Sequence, residues 1–226
     1  MSLSIDEAGA VLELRRYTLH PGRREALIAL FEREFVHTQQ ACGIRLPGQF
    51  RDLDRPDQFV WLRGFEDLAD RPRALGDFYG GPAWHAFRDE ANATMLDSDD
   101  VLLLRPLPGP TGGRAAPAGP QGLIVAGVCA LATPDDPALL AAFEAEVLPL
   151  LADQGASLLG RWLGDPARLL NNFPRLPVRA DGPVFVWLSQ HPAGLQDEAR
   201  LRAALAGARS LLLSRLRPTA GSALQL

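Results

Sequence analysis

The chain has 226 residues, of which 47% are hydrophobic and 22% are charged, and its net charge is −4. These values are ordinary for a globular protein, and they exclude a surface that draws the chain electrostatically to nucleic acid or to an anionic membrane. All 23 basic residues are arginine, which we attribute to the coding bias of a GC-rich genome.

Cysteine and histidine usage argues against a disulfide framework or a metal centre. Cys42 and Cys129 are too few for such a framework, and neither they nor His20, His37 and His191 fall at a metal-ligand spacing. The first residues lack the basic and apolar regions of a signal peptide, and no apolar run is long enough to span a bilayer. We therefore expect a cytoplasmic protein without metal, cofactor, membrane or nucleic-acid partner.

Hydrophobic periodicity divides the first half of the chain into strands and helices. Alternation over Val11–Leu19 predicts a strand whose one face carries Glu13, Arg15 and Tyr17. The other predicted elements are a helix from His20-Pro21-Gly22 to Gly43 with the stripe Leu27, Leu30, Phe31, Phe35 and Thr38, strands at about 44–53 and 58–65, a helical stretch from Asp67 towards Phe78, a helix from Pro82, and a strand at 101–105. The order βαββαβ is that of a ferredoxin-like unit.

The second half repeats this plan after a stretch rich in proline and glycine. Leu104-Arg-Pro106 recurs 112 positions later as Leu216-Arg-Pro218, whereas Phe59-Val-Trp-Leu62 recurs 126 positions later as Phe185-Val-Trp-Leu188. We therefore predict a duplicated α+β chain. Its parts are a first ferredoxin-like domain at 9–107, an exposed linker at 108–121 and a second, diverged domain at 122–218.

The two offsets differ by 14 residues, which places an insertion between the second and third strands of the second half. The insertion contains Asn171–Arg179, a segment with two prolines and no helical or strand period. A loop this long in a compact domain is often functional, and a rigid, proline-stiffened hairpin end explains it equally well. Asn172, Phe173 and Arg175 are its candidates for a lid over a ligand.

One stretch of the first half has no counterpart in the second. Residues 78–92 combine Phe78-Tyr-Gly-Gly-Pro-Ala-Trp84 with the polar run that follows it, from His85 to Asn92. Aromatic rings, a double glycine and several polar side chains therefore lie close together in one half only. This asymmetry predicts a site in the first half.

Five stretches of the first half carry a resemblance to a known family, in that family's order: Glu13–Tyr17, Gly48–Phe50, Val60–Phe65, Phe78–Trp84 and Arg88–Asn92. Together they resemble a NIPSNAP domain. The resemblance implies a dimeric α/β-barrel, which a tandem chain builds internally as a pseudo-dimer of its two ferredoxin-like units, and it leaves a further homodimer open. The family's function is poorly defined, and the barrel superfamily includes cofactor-free oxygenases, isomerases and dehydratases.

In such a barrel, strand side chains that point inward would line any pocket. Glu13, Arg15 and Tyr17 share one face of the first strand, and Trp61 and Arg63 share one face of the third. Two interpretations are open. The charges form an internal ion-pair network that fixes the barrel, or the arginine pair holds an anionic or carbonyl-bearing ligand.

His85 is a candidate general acid or base beside Tyr79. Arg88, Asp89 and Asn92 follow it at spacings that place them near its face of the helix. The alternative is a solvent-facing histidine, because the apolar stripe of this helix is Trp84, Phe87, Ala91 and Met95.

Two functions remain open from the sequence. The first is a cofactor-free site for a small aromatic or anionic molecule, with turnover left open. Its ligand-binding candidates are Arg15, Tyr17, Trp61, Arg63, Tyr79, Trp84, Arg88, Asn92, Asn172, Phe173 and Arg175. The second is a non-catalytic protein-interaction module, which requires an exposed apolar patch. The loss of the aromatic stretch from the second half favours the first.

Overall fold

A computed structural model describes residues 9–109 and 119–226 of the chain. Most of the predicted linker lies outside the described residues. The first eight residues, for which we expected no signal peptide, lie outside them as well. Two compact units are present. Unit 1 consists of the chain up to Leu104 with Leu170–Arg179 and Pro218–Gln225, and unit 2 of Arg105–Leu169 with Ala180–Arg217 and the final residue.

The first half folds as the predicted βαββαβ unit. Its elements are β1 (Val11–Leu19), α1 (Arg24–Leu30), a π-helical segment (Phe31–Phe35), α2 (Val36–Ala41), β2 (Arg45–Asp52), β3 (Gln58–Phe65), α3 (Arg71–Tyr79), α4 (Pro82–Asn92) and β4 (Met95–Pro106). All pairings are antiparallel, in the order β4-β1-β3-β2. Gly43, at φ +85°, ends the first helical segment as predicted, because glycine adopts this left-handed conformation without strain.

The second half repeats this order. Its elements are β5 (Leu123–Ala130), α5 (Pro137–Ala142), a π-helical segment (Phe143–Val147), α6 (Leu148–Asp153), β6 (Ser157–Gly164), β7 (Val184–His191), α7 (Glu198–Ala204) and β8 (Ser210–Pro218). The sheet order of unit 2 is β6-β7-β5-β8. Followed along their hydrogen bonds, the eight strands form a closed barrel in the order β1-β3-β2-β8-β5-β7-β6-β4. The predicted α+β class and barrel of two ferredoxin-like units are confirmed.

Two element boundaries differ from the sequence prediction. β4 begins at Met95 rather than Val101, because the polar stretch before Val101 pairs with β1 through an irregular register, in which Asp100 lies opposite Arg16. The helix predicted from Asp67 begins at Arg71 instead. Asp67 accepts a hydrogen bond from the backbone N–H of Asp70, so it stabilises the turn that precedes the helix.

The π-helical segment shifts the buried face of the first helical region. The predicted stripe ended at Thr38, which is only half-buried, whereas Gln39 is 1% exposed. A π-helical turn contains one residue more than an α-helical turn, so each position after Phe35 rotates by one residue around the axis. A glutamine, rather than a threonine, therefore faces the sheet.

Large apolar side chains that are exposed in the described part of the chain are Leu53, Leu96 and Leu170. Among these same residues, no helix has both the length and the apolar character needed to cross a membrane.

Candidate functional site

The candidate site lies on the face of the unit 1 sheet that carries Glu13, Arg15 and Tyr17. The antiparallel register places Arg63 opposite Glu13 and Trp61 opposite Arg15, so side chains from β1 and β3 meet there. The sequence predicted that this face lines a barrel interior. The prediction was wrong, since the helices of unit 1 cover this face, and Phe31 packs on Trp61 with ring centroids 4.8 Å apart.

Three arginines surround the carboxylate of Glu13. Its Oε2 atom accepts hydrogen bonds from Arg15 Nη1 (2.6 Å) and from Arg63 Nη2 (2.6 Å) and Nε (2.9 Å). Its Oε1 atom accepts one from Arg71 Nε at 2.7 Å. All four side chains are at most 2% exposed. We call these four residues the arginine cluster.

The arginine cluster holds one negative and three positive charges away from solvent. Burial alone raises the pKa of Glu13, but Arg63, Arg15 and Arg71 outweigh it and hold that pKa far below its ordinary value. Burial also lowers the pKa of Arg71, against the attraction of Glu13. Excess buried charge is costly unless further groups compensate it. The cluster is therefore short of anionic partners.

Two tyrosine hydroxyls extend the cluster towards a group of aromatic rings. Arg15 Nε donates to the Tyr17 hydroxyl oxygen at 3.1 Å, and Arg63 Nη1 donates to that of Tyr79 at 3.3 Å. Burial raises the pKa of Tyr17, partly offset by Arg15, so its hydroxyl stays protonated. Each tyrosine oxygen accepts from an arginine, and each O–H proton is available for another acceptor.

A small cavity of about 30 Å³ lies between the sheet and the helices of unit 1. It is lined by Tyr17, Leu27, Phe31, Phe35, Gln39, Trp61, Phe78, Tyr79, Trp84, Ala91 and Met95. Two of the lining residues have a buried side-chain atom that finds no hydrogen-bond partner within the described part of the chain, namely Gln39 (Oε1) and Trp61 (Nε1). The walls are thus aromatic, with one acceptor and one donor left unused.

The inserted segment Leu170–Arg179 belongs to unit 1 and contacts Arg71 of the arginine cluster. Arg71 Nη1 donates to the side-chain oxygens of Asn171 at 3.0 Å and Asn172 at 2.9 Å. The ring of Phe173 stacks on Tyr79, with centroids 6.3 Å apart and planes inclined by 25°. We call this segment the cap loop.

Comparison with known proteins agrees with this description. A model of the NIPSNAP family matches residues 12–109. The first half of the chain is a NIPSNAP domain. No functionally curated protein shows significant similarity to the chain.

Solved structures resemble either the whole chain or the NIPSNAP domain alone. Two proteins described as "putative monooxygenase" match the whole chain: one from Lactobacillus acidophilus NCFM (13% identity, 92% of this chain and 93% of that one, TM-score 0.54) and one from Fusobacterium nucleatum (9%, 92% and 91%, 0.56). These two likenesses show the fold only. A NIPSNAP-like domain protein from Burkholderia xenovorans is 30% identical over 44% of this chain and 89% of its own, with a TM-score of 0.40.

Unit 2 keeps the sheet of the NIPSNAP domain without its charges. Register positions that hold Glu13 and Arg63 in β1 and β3 hold Val125 and Ser189 in β5 and β7. Arg15 corresponds to Gly127, and a side chain there would collide with the Trp187 ring, which fills the space instead. The arginine cluster is therefore dispensable for this fold.

The structure brings most of the sequence-predicted site residues together. Six of them lie in the NIPSNAP domain around the cluster or the cavity, namely Arg15, Tyr17, Trp61, Arg63, Tyr79 and Trp84. Two more lie in the cap loop, where Asn172 contacts Arg71 and Phe173 contacts Tyr79. Four other candidates are exposed and line neither the cavity nor the cluster, namely His85, Arg88, Asn92 and Arg175. His85 is thus a surface residue, the alternative that the helix stripe indicated.

Three residues of the NIPSNAP site were missed from the sequence. Gln39 was placed off the buried face because a π-helical segment leaves no clear signal in residue spacing. Arg71 lies in an arginine-rich helix start and resembles a solvent-facing residue, yet it is 0% exposed. Asn171 was seen as part of a loop, but the neighbouring Asn172 was chosen for the lid, and both contact Arg71.

Proposed function

We propose that the NIPSNAP domain binds a small organic molecule in the aromatic cavity between its sheet and its helices. The unused acceptor Gln39 Oε1 carries this proposal. A buried polar atom without a partner costs about 1–3 kcal/mol, and Gln39 is 1% exposed. In unit 2 the position 112 residues later is Leu151, which is buried without such a cost.

Trp61 gives weaker support than Gln39. Its indole N–H also lacks a partner, but so does that of Trp187, its counterpart in unit 2, among the residues described. An unpartnered indole is thus common to both units, whereas the polar residue at position 39 is specific to the NIPSNAP domain. A ligand with a donor facing Gln39 and an acceptor facing Trp61 would satisfy both atoms.

The size of the cavity limits how a ligand enters. Its volume of about 30 Å³ is enough for one or two water molecules, whereas ligand pockets usually measure about 300–1,000 Å³. Trp84 and Met95 line the cavity and are only half-buried. We propose that these two side chains rotate outward on binding and that the aromatic walls stack on a flat ligand.

We propose that this site binds the molecule, and we assign no reaction to it. The activity named for the two whole-chain fold neighbours is theirs, and identities of 13% and 9% do not extend it to this chain. The site supplies hydrogen-bond donors from two tyrosines and fixed positive charge, which would hold and polarise a carbonyl or carboxylate oxygen.

Native mass spectrometry of the purified protein tests the proposal. Gln39→Leu copies Leu151 of unit 2, and Gln40→Leu is a matched control because Gln40 is exposed. We expect a small molecule that leaves on unfolding in the wild type and in the control, and at least a tenfold lower occupancy in Gln39→Leu.

Two results would contradict this proposal. An adduct that is equally abundant in all three proteins would place the ligand elsewhere. No adduct in any protein, together with a Gln39→Leu variant that is more stable than the wild type, would mean that the buried amide serves no ligand. A bound protein in place of a small molecule would support the interaction module.

A further inference from the structure

Arg71 is the member of the arginine cluster that the cap loop contacts. Its Nε donates a hydrogen bond to Glu13 Oε1 at 2.7 Å, and its Nη2 forms an ion pair with the same oxygen at 2.7 Å. Its Nη1 bonds only the neutral amide oxygens of Asn171 and Asn172. Arg15 and Arg63 share the other carboxylate oxygen. Arg71 thus meets Glu13 through Nε and Nη2, whereas its Nη1 is paired with neutral acceptors of the cap loop.

Charge balance favours an anion in place of the two amides at Arg71 Nη1. The cluster holds three guanidinium groups and one carboxylate, all buried. A second carboxylate would halve the excess charge, and carboxylates bind guanidinium groups through two parallel hydrogen bonds that are stronger than bonds to amide oxygens.

The cap loop is built so that it can leave Arg71. It contains neither helix nor strand, and Pro174, Arg175 and Pro177 are exposed. Several of its hydrogen bonds are internal, such as that from Asn171 Nδ2 to the Leu176 carbonyl. Its contacts with the rest of unit 1 include those of Asn171, Asn172 and Phe173 with Arg71, Leu68 and Tyr79, and that of the Arg179 N–H with the Val101 carbonyl.

Displacing the cap loop would expose the arginine cluster and the aromatic cavity together. Phe173 stacks on Tyr79, and Tyr79 both lines the cavity and accepts a hydrogen bond from Arg63. One movement of the cap loop would therefore uncover both the guanidinium group of Arg71 and the aromatic wall of the cavity at Tyr79.

We propose that Arg71 is an anion-binding residue and that the natural ligand is an aromatic carboxylate. Its carboxylate replaces the side chains of Asn171 and Asn172 at Arg71, and its ring enters the cavity beside Tyr79. The inference rests on the proposed function and specifies the ligand class of the same site. The cap loop acts as a lid whose amide oxygens accept the hydrogen bonds of Arg71 Nη1 while the site is empty.

Benzoate and benzamide test this inference, because they have nearly the same shape and differ in charge. Binding is measured by tryptophan fluorescence, since Trp61 and Trp84 line the cavity, and by thermal shift. Arg71→Met is compared with Arg73→Met, which removes an exposed arginine of the same helix. We expect benzoate to bind the wild type and Arg73→Met at least tenfold more tightly than benzamide, and Arg71→Met to lose that preference.

A second variant keeps the test valid if Arg71→Met fails to fold. Replacing both Asn171 and Asn172 by alanine leaves the arginine cluster intact and removes the loop's bonds to Arg71, so benzoate affinity is expected to rise at least threefold. Unchanged or weaker benzoate binding in this double variant would overturn the inference.

The remaining outcomes separate the inference from the proposed function. Equal affinity for benzoate and benzamide in the wild type would overturn the anion site and leave the cavity proposal standing. Absence of binding by both probes would overturn the aromatic carboxylate as ligand class, while the comparison of Gln39→Leu with Gln40→Leu still decides whether the cavity holds any ligand.

Discussion

At the residue scale, Glu13 holds the arginine cluster together. Its two carboxylate oxygens accept hydrogen bonds from three arginines on β1, β3 and α3. Because the three arginines hold the pKa of Glu13 far below its ordinary value, its carboxylate is charged at neutral pH. Removing that charge would leave three buried guanidinium groups without a counter-ion.

We therefore expect Glu13→Gln to lower the free energy of unfolding by about 3–5 kcal/mol, as for other buried ion pairs that lose one partner. The matched control is Glu25→Gln, which breaks an exposed pair with Arg51 and should cost less than about 1 kcal/mol. Urea denaturation at neutral pH measures both. Similar small losses in the two variants would contradict the central position of Glu13.

A second residue-scale feature is His191 in unit 2. It is 1% exposed, and its Nε2 atom lies 2.9 Å from Ser189 Oγ. Burial lowers its pKa from 6.5 to about 4. The folded protein therefore binds fewer protons than the unfolded chain between these values, so His191 lowers stability as the pH falls from about 6.5 to about 4.

Replacing His191 by phenylalanine, the residue at the corresponding position 65 of the first half, should remove this acid sensitivity. We expect the wild type to lose on the order of 3 kcal/mol more than His191→Phe between pH 6.5 and pH 4. Urea denaturation at several pH values measures the difference in unfolding free energy between the two proteins. Both contain the same carboxylates, so the contribution of these groups cancels in that difference. Parallel stability curves would contradict the assignment.

At the element scale, the sequence predicted strands with alternating hydrophobicity better than a strand with a polar start. The bounds of β1 and β3 agree with the alternating patterns from which they were predicted. By contrast, the polar start of β4 carries no apolar alternation and becomes a strand through its pairing with β1. Local pattern therefore identifies a strand whose own residues alternate, and misses one that is imposed by its neighbour.

The π-helical segments show why part of the site could not be predicted. Both halves contain one, at Phe31–Phe35 and Phe143–Val147, 112 positions apart. Each shifts the next turn by one residue, so Gln39 is buried in one half, and its counterpart Leu151 is buried beside Leu150 in the other. Spacing rules assume a continuous α-helix, and they consequently assign the wrong residue to the sheet-facing side.

At the scale of the whole molecule, duplication provides an internal comparison. The two units share element order and strand register, and these were predictable from repeated segments of sequence. The arginine cluster and the aromatic stretch occur in one unit only, whereas the cap loop is inserted in the other half of the sequence and packs in unit 1. Such long-range placement depends on tertiary structure and leaves no local signal.

The comparison predicts that the arginine cluster serves binding rather than folding. Replacing Glu13 by leucine and Arg15, Arg63 and Arg71 by methionine together removes every charge of the cluster while keeping side-chain volume. Buried ion clusters are often replaced by apolar residues without loss of stability, and unit 2 folds with Val125, Gly127 and Ser189 at three of these positions. We expect the fourfold variant to lose less unfolding free energy than Glu13→Gln alone, because no unpaired charge remains.

Urea denaturation of the two variants side by side decides this point, and benzoate binding provides the second measurement. A folded fourfold variant that no longer distinguishes benzoate from benzamide would separate the two roles of the cluster. If the fourfold variant unfolds instead, the cluster is required by this unit, and the duplicated half must have replaced its contribution with the packing of Trp187 and its apolar neighbours.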